Sequence, residues 1–185
     1  IAAIAVTTNL SAAAGACMAM IISWLKYGKA DVSMTLNGAL AGLVGITAGT
    51  ASVNNVGAII IGTLSGIIVV YAVEFFDRIQ VDDPVGAIAV HGVCGAFGTI
   101  AAGIFATEGG LLYGGGVSLL GIQILGVVSV FIWTFPLAFI LFKVIDILVG
   151  LRVSREDELE GLDSSEHDAV SYPDFVPNTS IKRSE

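Results

Sequence analysis

His91 is the residue whose type and position together suggest chemistry: no other Asp, Glu, Lys, Arg or His lies between Asp83 and Glu108. A neutral imidazole carries one hydrogen-bond donor and one acceptor, and its pKa of about 6.5 lets it hold a proton briefly. An ionisable group deep in an apolar segment reads as functional. The competing reading is a neutral histidine bonded to a neighbouring helix for packing. The surroundings favour function, because 85–99 is dominated by Gly, Ala and Val. Asp82-Asp83-Pro84 opens the same segment. Asp83 is expected to cap the helix, with Pro84 at its first position and the carboxylate at the positive end of the dipole. The alternative for Asp82 and Asp83 is a cation-attracting vestibule.

The segments that position these residues are membrane spans. Charged residues are only 13% of the chain, hydrophobic ones are 55%, and mean hydropathy is +0.89. An average soluble domain carries about 25% charge. Four stretches, 1–25, 32–73, 84–107 and 109–142, contain no Asp, Glu, Lys or Arg. A helix crosses the hydrocarbon core in about 20 residues. The predicted fold is therefore all-α: a polytopic bundle with spans near 2–25, 36–50, 56–76, 84–106 and 116–149. The long apolar run breaks at Gly49-Thr50-Ala51-Ser52-Val53-Asn54-Asn55, which has turn chemistry. The start in an apolar run, without a basic n-region, reads as a truncation inside a longer protein.

Charge placement tests the span count. With five spans, Lys26, Lys29, Arg78, Lys143, Arg152, Arg155, Lys182 and Arg183 all fall on one side, and the opposite connections hold no basic residue. The positive-inside rule makes that side, and the C-terminus, cytoplasmic. The net charge of −8 belongs mainly to the tail, where 150–185 carry nine acids against four Lys/Arg. Cys17 and Cys94 both fall in spans and are expected as packed thiols.

Small residues make the second and fourth spans interior helices. Phe131, Trp133, Phe135, Phe139 and Phe142 make the fifth lipid-facing, and Pro136 lacks the amide hydrogen, so a kink is expected there. Ser154-Arg155-Glu156-Asp157 reads as a capping box. Residues 150–171 form a tail, and 172–185 read as disorder.

Several motifs in order resemble the ammonium transporters of the Amt/Mep/Rh family. Val81-Asp82-Asp83-Pro84, His91-Gly92-Val93-Cys94-Gly95 and Gly103-Ile104-Phe105-Ala106 resemble the penultimate pore helix. Asn37-Gly38-Ala39-Leu40-Ala41-Gly42-Leu43-Val44-Gly45-Ile46-Thr47 and Gly57-Ala58-Ile59-Ile60-Ile61-Gly62 resemble earlier helices. Gly150-Leu151-Arg152-Val153-Ser154, Glu160-Gly161-Leu162-Asp163 and Glu166-His167 resemble the cytoplasmic tail. Asn37 stands where some members have a serine, and Asp168 where a tail glycine is expected.

The resemblance implies about eleven spans, built as two five-helix inverted repeats and a last long helix. This chain would be the second repeat, that helix and the tail. It implies that His91 is one of two pore histidines, its partner lying in the first repeat. Asn37 and Thr47 become candidate lane contacts. Arg152, Gly161, Asp163 and His167 become regulatory-tail residues, facing neighbouring subunits of a homotrimer in the plasma membrane and a PII-type signal protein. An ammonium sensor built on the same pore is the alternative function. No cofactor, metal, enzymatic activity or nucleic-acid partner is expected. A lone intramembrane histidine without companion ligands or a nucleophile argues against a hydrolase.

Overall fold

The computed structural model describes residues 1–167; the residues beyond, including Asp168 and the predicted disordered end, lie outside it. All regular structure among the described residues is helical. The helices are α1 (Ala2–Tyr27), α2 (Val32–Thr47), α3 (Asn55–Arg78), a π-helical segment (Ile88–Val93) running directly into α4 (Cys94–Phe105), α5 (Ser118–Leu148), α6 (Arg155–Glu160) and α7 (Leu162–His167). A 3-10 turn covers Leu111–Tyr113. Four helices are long and apolar enough to cross a membrane: Ala2–Tyr27, Asn55–Arg78, Ile88–Phe105 and Ser118–Leu148. The shorter α2 is apolar as well, with 16 residues, which makes five apolar helices among the described residues, one fewer than a five-helix repeat plus a last helix would need.

Local chemistry explains the boundaries. Asp31 starts α2 because its carboxylate accepts the Met34 amide at 2.7 Å, so the helix begins four residues before the predicted span at 36. Asn54 starts α3 by accepting from Gly57 at 2.9 Å. Gly28, at φ 73, ends α1 in the left-handed region that glycine enters without a Cβ penalty. Ser154 starts α6, where it accepts from the Asp157 amide at 3.1 Å and donates to the Asp157 carboxylate at 2.8 Å.

The chain divides into two compact units, Ile1–Ile132 and Trp133–Glu185. In the first, α1 packs against α2 and α3, which both also pack against the π-segment and α4. Its buried residues Thr7, Ser11, Gly15, Ala19 and Ser23 recur every four positions and form one stripe of small side chains. Against it lie glycines of two neighbours. A Cβ on Gly42 or Gly62 would strike the Ser11 backbone, and one on Gly66 would strike that of Gly15. The same intimacy joins α2 to α4, since a Cβ on Gly98 would come within 2.7 Å of the Gly45 Cα. Backbones pack this closely only where side chains are absent, and in lipid such dispersion contact replaces the hydrophobic effect between helices. Between them the apolar core includes Ile46, Ile61, Val69, Val70, Val90 and Cys94.

Sequence texture marked the second and fourth spans as interior; α4 buries five of its 12 residues, and α3, which the texture did not single out, buries nine of its 24. Its Gly57, Ile61, Gly62, Ser65 and Gly66 face the core while Ile59 and Ile60 are exposed. By contrast α5 buries no residue, and Phe131, Trp133, Phe135, Phe139 and Phe142 are all more than half exposed. Pro136 lies within it. In the second unit, Gly161 ends α6 at φ 98, a conformation that only glycine adopts without strain, and α7 follows at once.

Candidate functional site

Hydrogen bonds define two ends of the first unit. At one, Thr7 donates to the Thr50 carbonyl at 3.0 Å, Thr107 N–H to the Ser52 carbonyl at 2.8 Å, and the Asn54 amide to the Tyr113 hydroxyl. At the other, Glu74 accepts from Lys26 and Tyr27, Arg78 sits 3.8 Å from the same carboxylate, and Lys26 lies over the Tyr71 ring at 4.2 Å. Lys26, Lys29 and Arg78 therefore gather at one end of the unit, while 51–55 and 107–115 at the other contain no Lys or Arg. Glu74 escaped the sequence reading. Its signal was an acid at the end of a charge-free span, close in the fold to two basic residues, Lys26 and Arg78.

An open cavity of about 450 Å³ occupies the basic end, and Asn37, Asp82 and Asp83 line it together with Asp77, Gln80 and Gly86. Asn37 lies so close to the loop that a Cβ on Gly86 would meet its amide nitrogen at 2.7 Å. Gly86 has φ 75, and that left-handed backbone is what favours glycine there. The Asp83 carboxylate accepts the Ile88 amide at 3.0 Å and the Ala89 amide at 3.3 Å. Pro84 is not the first helical residue: 84–85 form a turn, and the helix proper begins after Gly86. Asp83 thus bonds across that turn to amides five and six residues on.

His91 lies within the π-segment and is exposed, with no hydrogen bond or ion pair among the described residues. It is not among the residues lining the cavity. Its neighbours on this uncovered side are Ile88 and Gly92, and the adjoining face of α2 exposes Leu36, Leu40, Leu43 and Thr47. The result is one open wall, apolar except for an imidazole and a hydroxyl. Thr47 donates to the Leu43 carbonyl at 2.8 Å. It stands ten residues, so about 15 Å along the helix, from Asn37, and the two do not share a site.

In the second unit, Arg152 and His167 are exposed, Gly161 shapes the turn between α6 and α7, and Asp163 lies in the first turn of α7. The two cysteines are unpaired, with Cys17 exposed and Cys94 buried.

Crossing helices joined through glycine backbones, apolar outer faces and one histidine on an open wall define an integral membrane protein of the channel and transporter kind. A sequence model of the Ammonium Transporter Family matches residues 1–172, and the chain belongs to that family. It is 47% identical to the ammonium transporter Amt2 of Archaeoglobus fulgidus, in an alignment covering 94% of this chain and 39% of that protein. Identity to the Haloferax mediterranei Amt1 is 39%, over 94% of this chain and 33% of that protein. Among solved structures, a sensor Amt protein superposes with a TM-score of 0.82 at 37% identity, covering 90% of this chain and 42% of that one. Candida albicans Mep2 gives 0.77 at 30% identity, covering 97% and 42%. The chain thus spans about two-fifths of the length of such relatives.

Proposed function

We propose that this chain is one wall of an ammonium-conducting pore and that His91 is its proton-handling residue. The observation that carries the reading is the placement of His91: exposed, without a side-chain partner among the described residues, on an apolar face that the described residues of its own unit leave open. A second wall, from the rest of a longer transporter, closes the lane and supplies a second histidine.

The physical problem is to separate ammonium from potassium, a cation of similar size. A bare cation in a dry lane loses its hydration at large cost, whereas neutral ammonia loses far less. Ammonium can shed a proton at the lane entrance and potassium cannot. The ring nitrogen that faces the lane accepts an N–H of the passing molecule or, in the other tautomer, donates to the lone pair of ammonia, and the imidazole can relay the separated proton. Leu36, Leu40 and Leu43 keep water out of the lane. At the basic end the cavity of Asn37, Asp82 and Asp83 provides polar rehydration where the solute leaves, and that end is cytoplasmic. The tail residues Arg152, Gly161, Asp163 and His167 couple subunits of a homotrimer in the plasma membrane and receive a PII-type signal protein.

The test is His91→Ala in the complete transporter. It should cut ammonium uptake at least tenfold or admit potassium, with membrane assembly retained. Full transport and selectivity in His91→Gln, alongside failed assembly in His91→Ala, would make the residue structural. A sensor role is the second reading, favoured by the likeness to the sensor Amt protein. It predicts ammonium-dependent change in the tail with negligible net uptake.

A further inference from the structure

The backbone around His91 leaves the α-helical hydrogen-bond ladder. Val90 N–H donates to the Gly86 carbonyl, four residues back, at 2.9 Å. Cys94 N–H donates to the Ala89 carbonyl, five back. Between these bonds His91, Gly92 and Val93 offer three N–H groups to the two carbonyls of Ala87 and Ile88, so one N–H has no carbonyl of its own. The register returns by Ala106, which donates four back to Ala102. With α4 regular from Cys94, the N–H groups of Gly95, Ala96 and Phe97 face the four carbonyls of Val90, His91, Gly92 and Val93. One of those carbonyls receives no N–H of its own. Short π-helical stretches of this kind inside α-helices are rare and are frequently found at functional sites.

The glycines beside it point the same way. Gly15, Gly42, Gly62, Gly66 and Gly98 are forced by packing, since a Cβ on each would collide with a neighbouring backbone. Gly92 and Gly95 are not forced. A Cβ on Gly92 would meet only Ile88 Cγ2 at 3.7 Å, and one on Gly95 only Val44 Cγ1 at 3.6 Å, both ordinary contacts, and neither has a positive φ. Gly92 is exposed on the open wall next to His91. Glycine there costs helix stability relative to alanine, by roughly 1 kcal/mol, and returns nothing in packing within this chain. What it does is leave the peptide groups of the π-turn uncovered.

We propose that the π-turn Ile88–Val93 is itself a solute-binding element, in which the freed backbone carbonyl, uncovered by Gly92 and Gly95, accepts an N–H from the ammonium or ammonia that the His91 imidazole engages. This rests on the pore reading above and extends it. The imidazole supplies one acceptor and the carbonyl a second, so the site recognises a small solute with several N–H groups and offers much less to one with few.

The experiment is uptake of ammonium and of methylammonium by the complete transporter carrying Gly92→Ala, Gly95→Ala or His91→Ala, with Gly126→Ala as control because a Cβ there meets nothing within 4 Å. Gly92→Ala should assemble normally and lower ammonium uptake about tenfold, the scale of losing one hydrogen bond to a charged group. Ammonium should suffer at least as much as methylammonium. Parental ammonium uptake in Gly92→Ala, a loss confined to the bulkier methylammonium, or failure of Gly92→Ala to assemble would each overturn the proposal. If His91→Ala alone abolishes uptake, the pore reading stands and only this extension falls. If neither variant changes uptake, both fall.

Discussion

At the residue scale, the polar groups single out different ends of one wall. The Asn37 amide lies against Gly86 in the cavity at the basic end, and Asp83 ties that loop to the start of the π-segment. Asn37→Ala should therefore loosen the loop and slow solute exit, read as a drop in maximal uptake with little change in half-saturation. Thr47→Val should have a smaller effect, because the Thr47 hydroxyl is already committed to the Leu43 carbonyl. An equal or larger loss in Thr47→Val would return that residue to the lane. His91 was legible in the sequence because a single ionisable group in an apolar segment is conspicuous. The π-turn was not, since a one-residue shift of the ladder leaves no mark in hydrophobic pattern.

Elements are set by small residues at fixed spacing. Gly98 and Gly45 let α4 and α2 touch through backbone, and Gly98→Ala should destabilise the bundle by about 1–3 kcal/mol through overpacking. The check is the midpoint of thermal unfolding in detergent. An unchanged midpoint would mean the helices can part without cost. Spans were legible from charge-free runs, and their starts moved by one to four residues where Asp31, Asn54 and Gly86 decided the boundary. Burial was legible in part. Gly content pointed to the second and fourth spans, and α4 is well buried, but it missed α3, which buries nine of its 24 residues, and the single stripe, Thr7 to Ser23, through which α1 packs. Lys26, Tyr27, Arg78 and Glu74 then fasten the basic ends of α1 and α3. Reporter fusions after Tyr27, Asp77 and Arg155 should report the cytoplasm, and one after Gly110 the outside. An outside signal after Asp77 would break the five-span count.

For the whole molecule, the central claim is that this chain supplies one wall of a two-walled ammonium lane. Its relatives are more than twice as long, and the described residues of its first unit leave the His91 face open. The direct measurement is uptake of ammonium and potassium into vesicles holding the 185-residue chain alone, beside vesicles holding the complete transporter. The complete protein should take up ammonium saturably and exclude potassium, and the chain alone should do neither. Selective, saturable ammonium uptake by the chain alone at the parental rate would contradict the two-walled lane.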